Sequence, residues 1–296
     1  MSTVQLGRLG VWGHLDSLSA DGARAYARRV EELGFGALWV PETVGREPFT
    51  LLGVLAGVTS RLVLATSIVN IWGRDAQATR MAAMTLSEAT AGRFVLGLGV
   101  SHPHLVDRLR GHHFDRPLSR MREYLAAYRT AVYRGPAAAD ASEPPVMIAA
   151  LRERMTDLAA TDADGALPYL VTVERVAWMR ARLDAARSDQ RPTLVVTLPV
   201  VLDEPAAGLE AGRAYLAPYL RTPTYQASWE LQGFGADDWE QPGSDWLVNA
   251  MVSVGSEADA RGRAAQLHAA GADHVAIIPI GPGGGTEHLP TLQALA

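Results

Sequence analysis

The chain has 296 residues, 48% of them hydrophobic, and a formal net charge of −5 at pH 7, a size that allows one large core or two smaller ones. Its arginines lie beside acidic residues in helical segments and form no basic stripe, so nucleic acid is not expected as a partner. The absence of cysteine excludes thiolate catalysis, iron–sulfur clusters and disulfides. No signal-peptide core and no apolar run long enough to span a membrane is present, so we expect a cytoplasmic protein without a membrane partner.

Short β-rich runs alternate with amphipathic helix patterns along the chain. The predicted strands cover residues 6–12, 36–42, 61–70, 93–100, 145–151, 165–171, 193–202 and 274–280. The predicted helices cover residues 19–34, 47–60, 75–92, 117–135, 152–164, 172–187, 256–271 and 288–296. The clearest helix is the fourth, whose apolar face is formed by Leu118, Met121, Leu125, Tyr128 and Val132.

Eight apolar strands, each followed by a helix pattern, are typical of a parallel sheet covered on both faces. We therefore predict an α/β fold, a closed (β/α)8 TIM barrel, as a single domain over residues 1–296. A doubly wound open sheet is the alternative. Its phosphate-binding pattern belongs in the first strand–helix turn, but that turn reads GVWGHLDSLSADG and lacks G-x-G-x-x-G.

The segment from about Pro205 to Val252 interrupts this alternation. It is too long for one crossover and contains the stretch TPTYQASWELQGFGADDWEQPGSDW, which has three tryptophans and several turn residues. After the seventh strand of a barrel, such an excursion lies on the face that carries the functional site. A covering lid and a subunit contact both fit the sequence.

Polar and aromatic residues follow the ends of the first four predicted strands. They are Trp12 and His14 after the first strand, Glu42 after the second, Asn70, Trp72, Arg74 and Asp75 after the third, and Ser101, His102 and His104 after the fourth. Because the carboxyl ends of barrel strands meet at one mouth, these side chains are expected to converge on a functional site.

The fourth strand and the turn after it read RFVLGLGVSHPH. Gly97 and Gly99 lie within the strand, and His102 stands where a dinucleotide-binding loop would have its third glycine, which argues against that loop. Both glycines share the inward face, where they either leave room for a ligand or relieve crowding in the barrel core.

The pair His102 and His104 has a spacing that occurs in metal sites, but Pro103 lies between them and no carboxylate is near at ligand spacing. No metal site is predicted. A neutral histidine at the end of a barrel strand, titrating near the working pH, is better explained as a general acid or base, or as a hydrogen-bond donor to a bound ring.

Five stretches resemble a known family in order and spacing. They are ALWVPE, LVLATSIVNIWGRDAQATRMAAMTLSEATAGRFVLGLGVS, FDRPLSRMREYLAAYR, PVMIAALRERMTDLAATDADGAL and VGSEADARGRAAQLHAAGADHVAIIP. Together they resemble the luciferase-like monooxygenase superfamily, and within it the branch of actinobacterial type that uses the deazaflavin coenzyme F420. The resemblance covers nearly the whole chain apart from the tryptophan-rich excursion, and it implies a homodimer.

The resemblance also implies where the coenzyme is bound. A non-prolyl cis peptide bond at Ser67–Ile68 would lie against the coenzyme ring, and the start of the fifth helix would hold its phosphate on backbone amides. The implied coenzyme-contacting residues are Ser67, Ile68, Asn70, Val100, Ser101, His102, Leu151, Arg152 and Glu153.

The activity implied by the resemblance is hydride transfer between C5 of the deazaflavin and a small organic substrate. His102 would donate or accept the accompanying proton, and Glu42 would set its charge or orient the substrate. The predicted substrate pocket consists of Trp12, Trp72, Arg74 and His104.

Two departures from the family pattern limit the substrate. Thr43 follows Glu42 where the sugar-phosphate dehydrogenases of the family have a histidine, and His102 replaces their glutamate, so a sugar phosphate is not predicted. Arg152 and Glu153 also replace the usual glycine–proline opening of the fifth helix. Two alternatives stay open: a monooxygenase that uses FMN and oxygen, and a barrel that binds a ligand without catalysis.

Overall fold

The computed structural model describes residues 4–137, 143–186, 191–282 and 284–296. Its strands are β1 (Leu9–Trp12), β2 (Ala37–Val40), β3 (Val63–Thr66), β4 (Val69–Asn70), β5 (Phe94–Gly99), β6 (Val146–Ala149), β7 (Gly165–Leu167), β8 (Thr193–Leu202), β9 (Ser253–Gly255) and β10 (His274–Pro279).

The α-helices surround these strands. They are α1 (Ala20–Glu32), α2 (Pro48–Ala56), α3 (Ala76–Ala89), α4 (Pro117–Thr130), α5 (Glu153–Asp162), α6 (Val173–Ala186), α7 (Pro205–Leu220), α8 (Pro223–Glu230), α9 (Ala236–Trp239), α10 (Asp245–Met251), α11 (Glu257–Ala269) and α12 (Leu289–Leu295). A short 3-10 turn at Leu15–Ser17 and a π-helical segment at His104–Leu109 lie in two of the connections. Within the described ranges, no helix has both the length and the apolar character needed to cross a bilayer.

Eight strand positions close into a parallel barrel. The order is β1, β2, β3, β5, β6, β7, β8 and β10, and β10 pairs with both β8 and β1. The short strand β4 pairs with β5, and β9 pairs with the end of β8. The predicted (β/α)8 barrel is confirmed, and the open-sheet alternative is wrong because the pairing of β10 with β1 removes the sheet edge.

The twofold alternation of each strand separates two apolar cores. In β2, Ala37 and Trp39 belong to a core inside the barrel, whereas Leu38 and Val40 belong to the core between the barrel and its helices. The strands are apolar on both faces because both faces are covered, as the continuous apolar runs in the sequence indicate.

A buried polar pair lies within the barrel near the start of β10. The ring of His274 accepts a hydrogen bond from Trp39 Nε1 at 3.1 Å through Nε2, and its Nδ1 donates to the carbonyl oxygen of Gly7 at 2.9 Å. Burial lowers the pKa of His274 to about 4, so this histidine is neutral and has both ring nitrogens paired. A Cβ at Gly10 would lie 2.4 Å from His274 Nε2, so the position of the His274 ring requires glycine there.

The excursion after β8 forms α7, α8, α9 and α10 and covers the mouth of the barrel. Its side chains Tyr215, Trp229 and Leu247 belong to the same apolar core as the barrel interior. Trp229 also donates a hydrogen bond from Nε1 to the carbonyl oxygen of Leu170 at 3.2 Å. The two expectations for this segment, a lid and a subunit contact, stay predictions.

Several element boundaries differ from those predicted. The first strand begins at Leu9 rather than at residue 6, and a bulge at residues 67–68 divides the third predicted strand into β3 and β4. The fourth predicted helix ends at Thr130, and Val132 is 58% exposed instead of lying on the apolar face. The backbone of Val132 pairs with the side-chain amide of Gln77, which stops the helix. The last residue of the predicted helix 172–187 lies outside the described residues.

Candidate active site

The bulge between β3 and β4 faces the mouth, and the Ser67–Ile68 peptide bond is cis, as the resemblance implies. Three neighbours fix its backbone. Ser67 donates its N–H to the carbonyl oxygen of Val40 at 2.9 Å and accepts from Trp12 Nε1 at 3.1 Å, while Ile68 accepts from the N–H of Glu42 at 3.0 Å. The ends of β1 and β2 therefore hold the bulge in place.

The two inward glycines of β5 make room for the protein itself. A Cβ at Gly97 would lie 2.0 Å from the carbonyl oxygen of Thr66, and a Cβ at Gly99 would lie 2.5 Å from Cγ1 of Ile68. The Thr66 hydroxyl fills the same region, because it accepts from the N–H of Gly97 and donates to its carbonyl oxygen. Of the two explanations offered by the sequence, relief of crowding is the one that the contacts support.

Glu42 is the centre of a buried charged network, which we define as Glu42, Asn70, Arg74 and Arg110. Its side chain is 6% exposed. Asn70 donates to Oε2 of Glu42 from its backbone N–H and from Nδ2, both at 2.7 Å. Arg74 donates to Oε1 at 2.9 Å and to Oε2 at 3.1 Å, and Arg110 donates to Oε1 at 3.1 Å. These five bonds occupy both carboxylate oxygens.

The charged network extends to the turn after β5 through Trp72. Asn70 Oδ1 accepts from the N–H of Trp72 at 3.1 Å, and Trp72 Nε1 donates to the carbonyl oxygen of Val100 at 2.9 Å. The Trp72 ring lies 5.8 Å from that of Phe114, and the Arg120 guanidinium lies 5.8 Å from the Trp72 centroid. Asn70, Trp72 and the Val100 carbonyl are therefore engaged with one another.

The turn after β5 places His102 at the mouth. Ser101 has a φ of 57°, a left-handed conformation that is uncommon for a residue with a side chain and is found most often at functional sites. The His102 ring stacks on His104 with centroids 5.9 Å apart and lies 5.4 Å from the Tyr225 ring.

The protonation state of His102 differs from the expectation of a group that titrates near neutral pH. Burial, together with the nearby His104, lowers the pKa of His102 to about 4, so the ring is neutral at pH 7. Its Nδ1 is buried and has no hydrogen-bond partner among the described residues. The neutral ring therefore has one nitrogen whose hydrogen-bonding capacity is unused.

Four tyrosines form an aromatic wall opposite the charged network, which we define as Tyr169, Tyr215, Tyr219 and Tyr225. Tyr169 follows β7, and the other three come from α7 and α8. The Tyr169 ring lies 6.0 Å from that of Trp12, and the Tyr225 ring lies 5.2 Å from that of Tyr219. Burial raises the pKa of each of the four phenols, so all are protonated at neutral pH.

The start of α5 combines an uncapped helix end with a buried cation. Arg152 occupies the N-cap position without a side-chain hydrogen bond to the helix, and the exposed Glu153 pairs with Arg182 at 2.7 Å. Arg175 donates from Nη2 to the carbonyl oxygen of Leu151 at 2.7 Å and is 8% exposed. Its Nε has no partner, and none of the described carboxylates lies within ion-pair distance of its guanidinium. These features favour an anion, because helix N-termini and unpaired buried cations both attract one.

The structure thus separates the predicted site residues into groups. The first group lies in the charged network or beside it and consists of Glu42, Asn70, Trp72 and Arg74. The second group surrounds the bulge and the turn after β5 and consists of Trp12, Ser67, Ile68, Val100, Ser101, His102 and His104. The third group forms the start of α5 and consists of Leu151, Arg152 and Glu153.

Sequence reasoning missed three features. Arg110 and Arg175 carry no local signal, because only the fold brings them to Glu42 and to the start of α5. The tyrosines of the excursion have a signal, since Tyr215 and Tyr219 are four residues apart and share a helix face. His14, noted at the end of the first strand, lies with its Nε2 3.7 Å from Asp16 Oδ2.

The closed parallel barrel and the bulge after its third strand define an α/β barrel with its candidate site at the carboxyl ends of the strands. The chain matches the family model for luciferase-like monooxygenases over residues 1–274, and it belongs to that family. The family predicted from the sequence is therefore confirmed.

Individual relatives agree with this family. The chain is 28% identical, over 83% of its length and 80% of the relative's, to the Mycobacterium tuberculosis protein Rv3520c, provisionally named a coenzyme F420-dependent oxidoreductase. It shares the fold of an F420-dependent secondary alcohol dehydrogenase solved with an F420–acetone adduct, with a TM-score of 0.75, 13% identity and coverage of 98% and 99% of the two chains. A type II Baeyer–Villiger monooxygenase component from Pseudomonas putida, in complex with FMN, gives a TM-score of 0.66 at 14% identity and 91% coverage of both chains. These relatives are redox enzymes, and the predicted enzyme class is confirmed at the level of the family.

Proposed function

We propose that the protein is an F420-dependent oxidoreductase that transfers a hydride between the deazaflavin C5 and a small organic substrate. The observation that carries the proposal is the buried guanidinium of Arg175, which stacks on Trp178 and has no carboxylate partner among the described residues, beside the start of α5, which has no side-chain cap. This pair is suited to a coenzyme phosphate. Family membership supports a redox coenzyme, and the name of the mycobacterial relative favours F420 over FMN.

The residues at the mouth fit a flat ring as well as a phosphate. The bulge at Ser67–Ile68, with Trp12 on one side and the Ser101–His102 turn on the other, would support and flank the ring. When bound, F420 supplies a hydride donor or acceptor at C5 and moves two electrons without inserting oxygen.

The two residues predicted to be catalytic have different roles in this proposal. Glu42 is a positioning residue, because its five hydrogen bonds fix Asn70, Arg74 and Arg110 and leave its oxygens no capacity for a substrate proton. His102 is the polar group beside the ring site, since its Nδ1 is unpartnered and its ring is neutral. A neutral imidazole at this position donates or accepts one hydrogen bond without bringing charge into the site.

The test is a titration of the purified protein with F420 and with FMN, each oxidised and reduced, followed by fluorescence. We expect F420 to bind at micromolar concentration or below and FMN to bind more weakly. Tighter binding of FMN would instead support an oxygen-using monooxygenase, as the FMN-bound structural neighbour suggests. Binding of neither coenzyme would overturn the proposal and favour a barrel without redox catalysis.

A pair of arginine variants tests the phosphate site. Arg175→Gln is expected to weaken F420 binding about 10- to 100-fold, because a charge-assisted hydrogen bond contributes about 1.5–3 kcal/mol. The matched control is Arg182→Gln, which removes the same charge from the same helix. Arg182 already pairs with Glu153 and Asp157, so its replacement should change the dissociation constant less than about threefold. Equal effects of the two variants would place the phosphate elsewhere.

The predicted homodimer, the cytoplasmic location and the role of His104 as a pocket residue stay predictions. Size-exclusion chromatography with light scattering tests the first of them directly.

A further inference from the structure

The π-helical segment (His104–Leu109) begins two residues after His102, in the connection between β5 and α4. The carbonyl oxygen of His102 accepts hydrogen bonds from the N–H groups of Leu105 and Val106, both at 3.0 Å. His104, the first residue of the segment, stacks its ring on that of His102. The position of the His102 ring therefore depends on the position of the segment.

The side chains of the segment attach it only weakly to the barrel. Among its six described residues, only Val106 is fully buried, whereas Asp107, Arg108 and Leu109 are exposed. The Asp107 carboxylate accepts from the N–H of Phe114 at 2.6 Å, and this bond ties the segment to the turn that follows it. A single apolar contact restricts rotation poorly, so the orientation of the segment requires a second anchor.

The residue after the segment supplies that anchor. Arg110 donates a hydrogen bond from Nη2 to Oε1 of Glu42 at 3.1 Å, which connects the end of the segment to the turn after β2. The Glu42 side chain is 6% exposed and is also held by Asn70 and Arg74, so it is a fixed point of attachment. Hydrogen bonds between a guanidinium and a carboxylate are among the stronger polar contacts in proteins.

Two local features accommodate Arg110. Its N–H bonds to the carbonyl oxygen of Leu105, five residues earlier, at 3.2 Å, so the last turn of the segment contains one residue more than an α-helical turn. A Cβ at Gly73 would lie 2.7 Å from Nη1 of Arg110, so the guanidinium lies directly on the backbone of Gly73. The absence of a side chain at Gly73 therefore leaves the room that the guanidinium occupies.

We propose that Arg110 is a positioning residue, which joins the π-helical segment to Glu42 and thereby holds the His102–His104 stack at the edge of the ring site. The inference rests on the proposed function for what His102 faces, but the contact between Arg110 and Glu42 does not require a coenzyme. Without that contact, the segment pivots about Val106, His104 moves away from His102, and water reaches the His102 ring.

The ionisation of His102 reports on this arrangement. Burial, together with the nearby His104, lowers its pKa to about 4, and Tyr225, the other titratable group in contact with the ring, is a protonated phenol. A loosened segment exposes the ring and moves His104 away, and both changes raise the pKa of His102. At pH 5.5, a histidine with a pKa of about 4 is about 3% protonated, whereas one with a pKa of about 5 is about 25% protonated.

The test follows the Cε1–H signal of His102 by NMR on the isotope-labelled, coenzyme-free protein between pH 7.5 and pH 5.5, with His102→Gln used to assign the signal. Two variants break the contact in different ways. Arg110→Gln removes the charge, whereas Gly73→Ala displaces the guanidinium and keeps every charge of the network. We expect the wild-type signal to stay almost in place and the signals of both variants to move by about a quarter of the full protonation shift.

Two control variants separate this role from a general weakening of the protein. Arg108→Gln removes an exposed guanidinium from the same segment. Arg74→Gln removes the other guanidinium from Glu42 without changing the segment, so it lowers stability but leaves the second anchor in place. We expect the His102 signal of both controls to match that of the wild type. If Arg110→Gln does not fold, Gly73→Ala carries the test, because it retains all the charges.

Three results would overturn the proposal. They are a His102 signal that stays in place in both Arg110→Gln and Gly73→Ala, an equal movement in Arg74→Gln, and a wild-type signal that moves as far as those of the variants. The F420 titration is independent of all three. A signal that moves only in the Arg110 and Gly73 variants of a protein that does not bind F420 would keep Arg110 as a positioning residue and reject the coenzyme, whereas unmoved signals in a protein that binds F420 would do the reverse.

Discussion

The two sides of the barrel mouth satisfy their polar groups in opposite ways. On the side of β2 and β4, the Glu42 carboxylate receives five hydrogen bonds and is almost completely buried. On the side of β7 and α7, the hydroxyls of Tyr169, Tyr215 and Tyr219 bond only to one another, and His102 Nδ1 has no hydrogen-bond partner among the described residues. A buried polar group without a partner costs free energy, so one that persists at a cleft calls for a ligand.

This comparison separates structural from functional polar groups without reference to residue type. Glu42 has the chemistry of a catalytic carboxylate, but all the hydrogen bonds of its side chain go to Asn70, Arg74 and Arg110. On the aromatic side, the hydrogen-bonding capacity of His102 Nδ1 is unused. We therefore expect substitutions on the charged side to act mainly on stability, and substitutions on the aromatic side to act mainly on binding.

The largest expected effect is that of Glu42→Gln. The amide leaves Arg110 without a carboxylate and places an N–H donor against other donors, so we expect the free energy of unfolding to fall by about 3 kcal/mol. Urea unfolding measures this change. Glu47→Gln is the control, because Glu47 also contacts Arg74 but is 45% exposed, and it should cost about 1 kcal/mol or less. A variant of Glu42 with unaltered stability and no turnover would make Glu42 a catalytic residue after all.

An intermediate effect is expected from acidification. The pKa of His102 is lowered to about 4 by folding, so the folded state resists protonation that the unfolded chain accepts near pH 6.5. The stability contributed by neutral His102 is therefore complete above about pH 6.5 and is lost as the pH falls toward 4.

The comparison of wild type with His102→Gln isolates this contribution. Between pH 7.5 and pH 5, the wild type should lose about 1–2 kcal/mol more stability than the variant, as measured by urea unfolding at each pH. His274 titrates in the same direction in both proteins, so its contribution cancels in the difference. Parallel pH profiles would show that folding does not lower the pKa of His102.

The smallest expected effect is that of Tyr225→Phe. The Tyr225 ring packs between His102, Tyr219 and Trp229, but its hydroxyl makes no hydrogen bond to the described residues. Removing that hydroxyl should change the free energy of unfolding by no more than about 0.5 kcal/mol. A loss above about 1 kcal/mol in thermal or urea unfolding would reveal a hydrogen-bond partner for this hydroxyl.

The fold was predictable because its signals are local and repeated. Each barrel strand is a short apolar run, and glycine or capping residues such as Asp75 and Gly34 mark where the helices begin or end. The bulge at Ser67–Ile68 was predicted by family resemblance and not by any property of the residues themselves.

The partners within the site were not predictable in the same way. Glu42 and Arg110 are 68 residues apart, and Tyr169 and Tyr215 are 46 apart, so only the closed barrel brings them together. The protonation of His102 also depends on the rings that cover it, and the sequence alone indicates a histidine of ordinary pKa.

The covering segment after β8 has a consequence for how the protein can diversify. Three of the four tyrosines in the aromatic wall lie on α7 and α8, which are inserted between barrel strands and contribute no strand to the closed sheet. Mutations in those helices change the shape and hydrogen bonding of the mouth while the barrel, the bulge and the start of α5 stay as they are. The shape of the mouth can therefore change by drift in one short stretch of the gene, without any change to the strands that close the barrel.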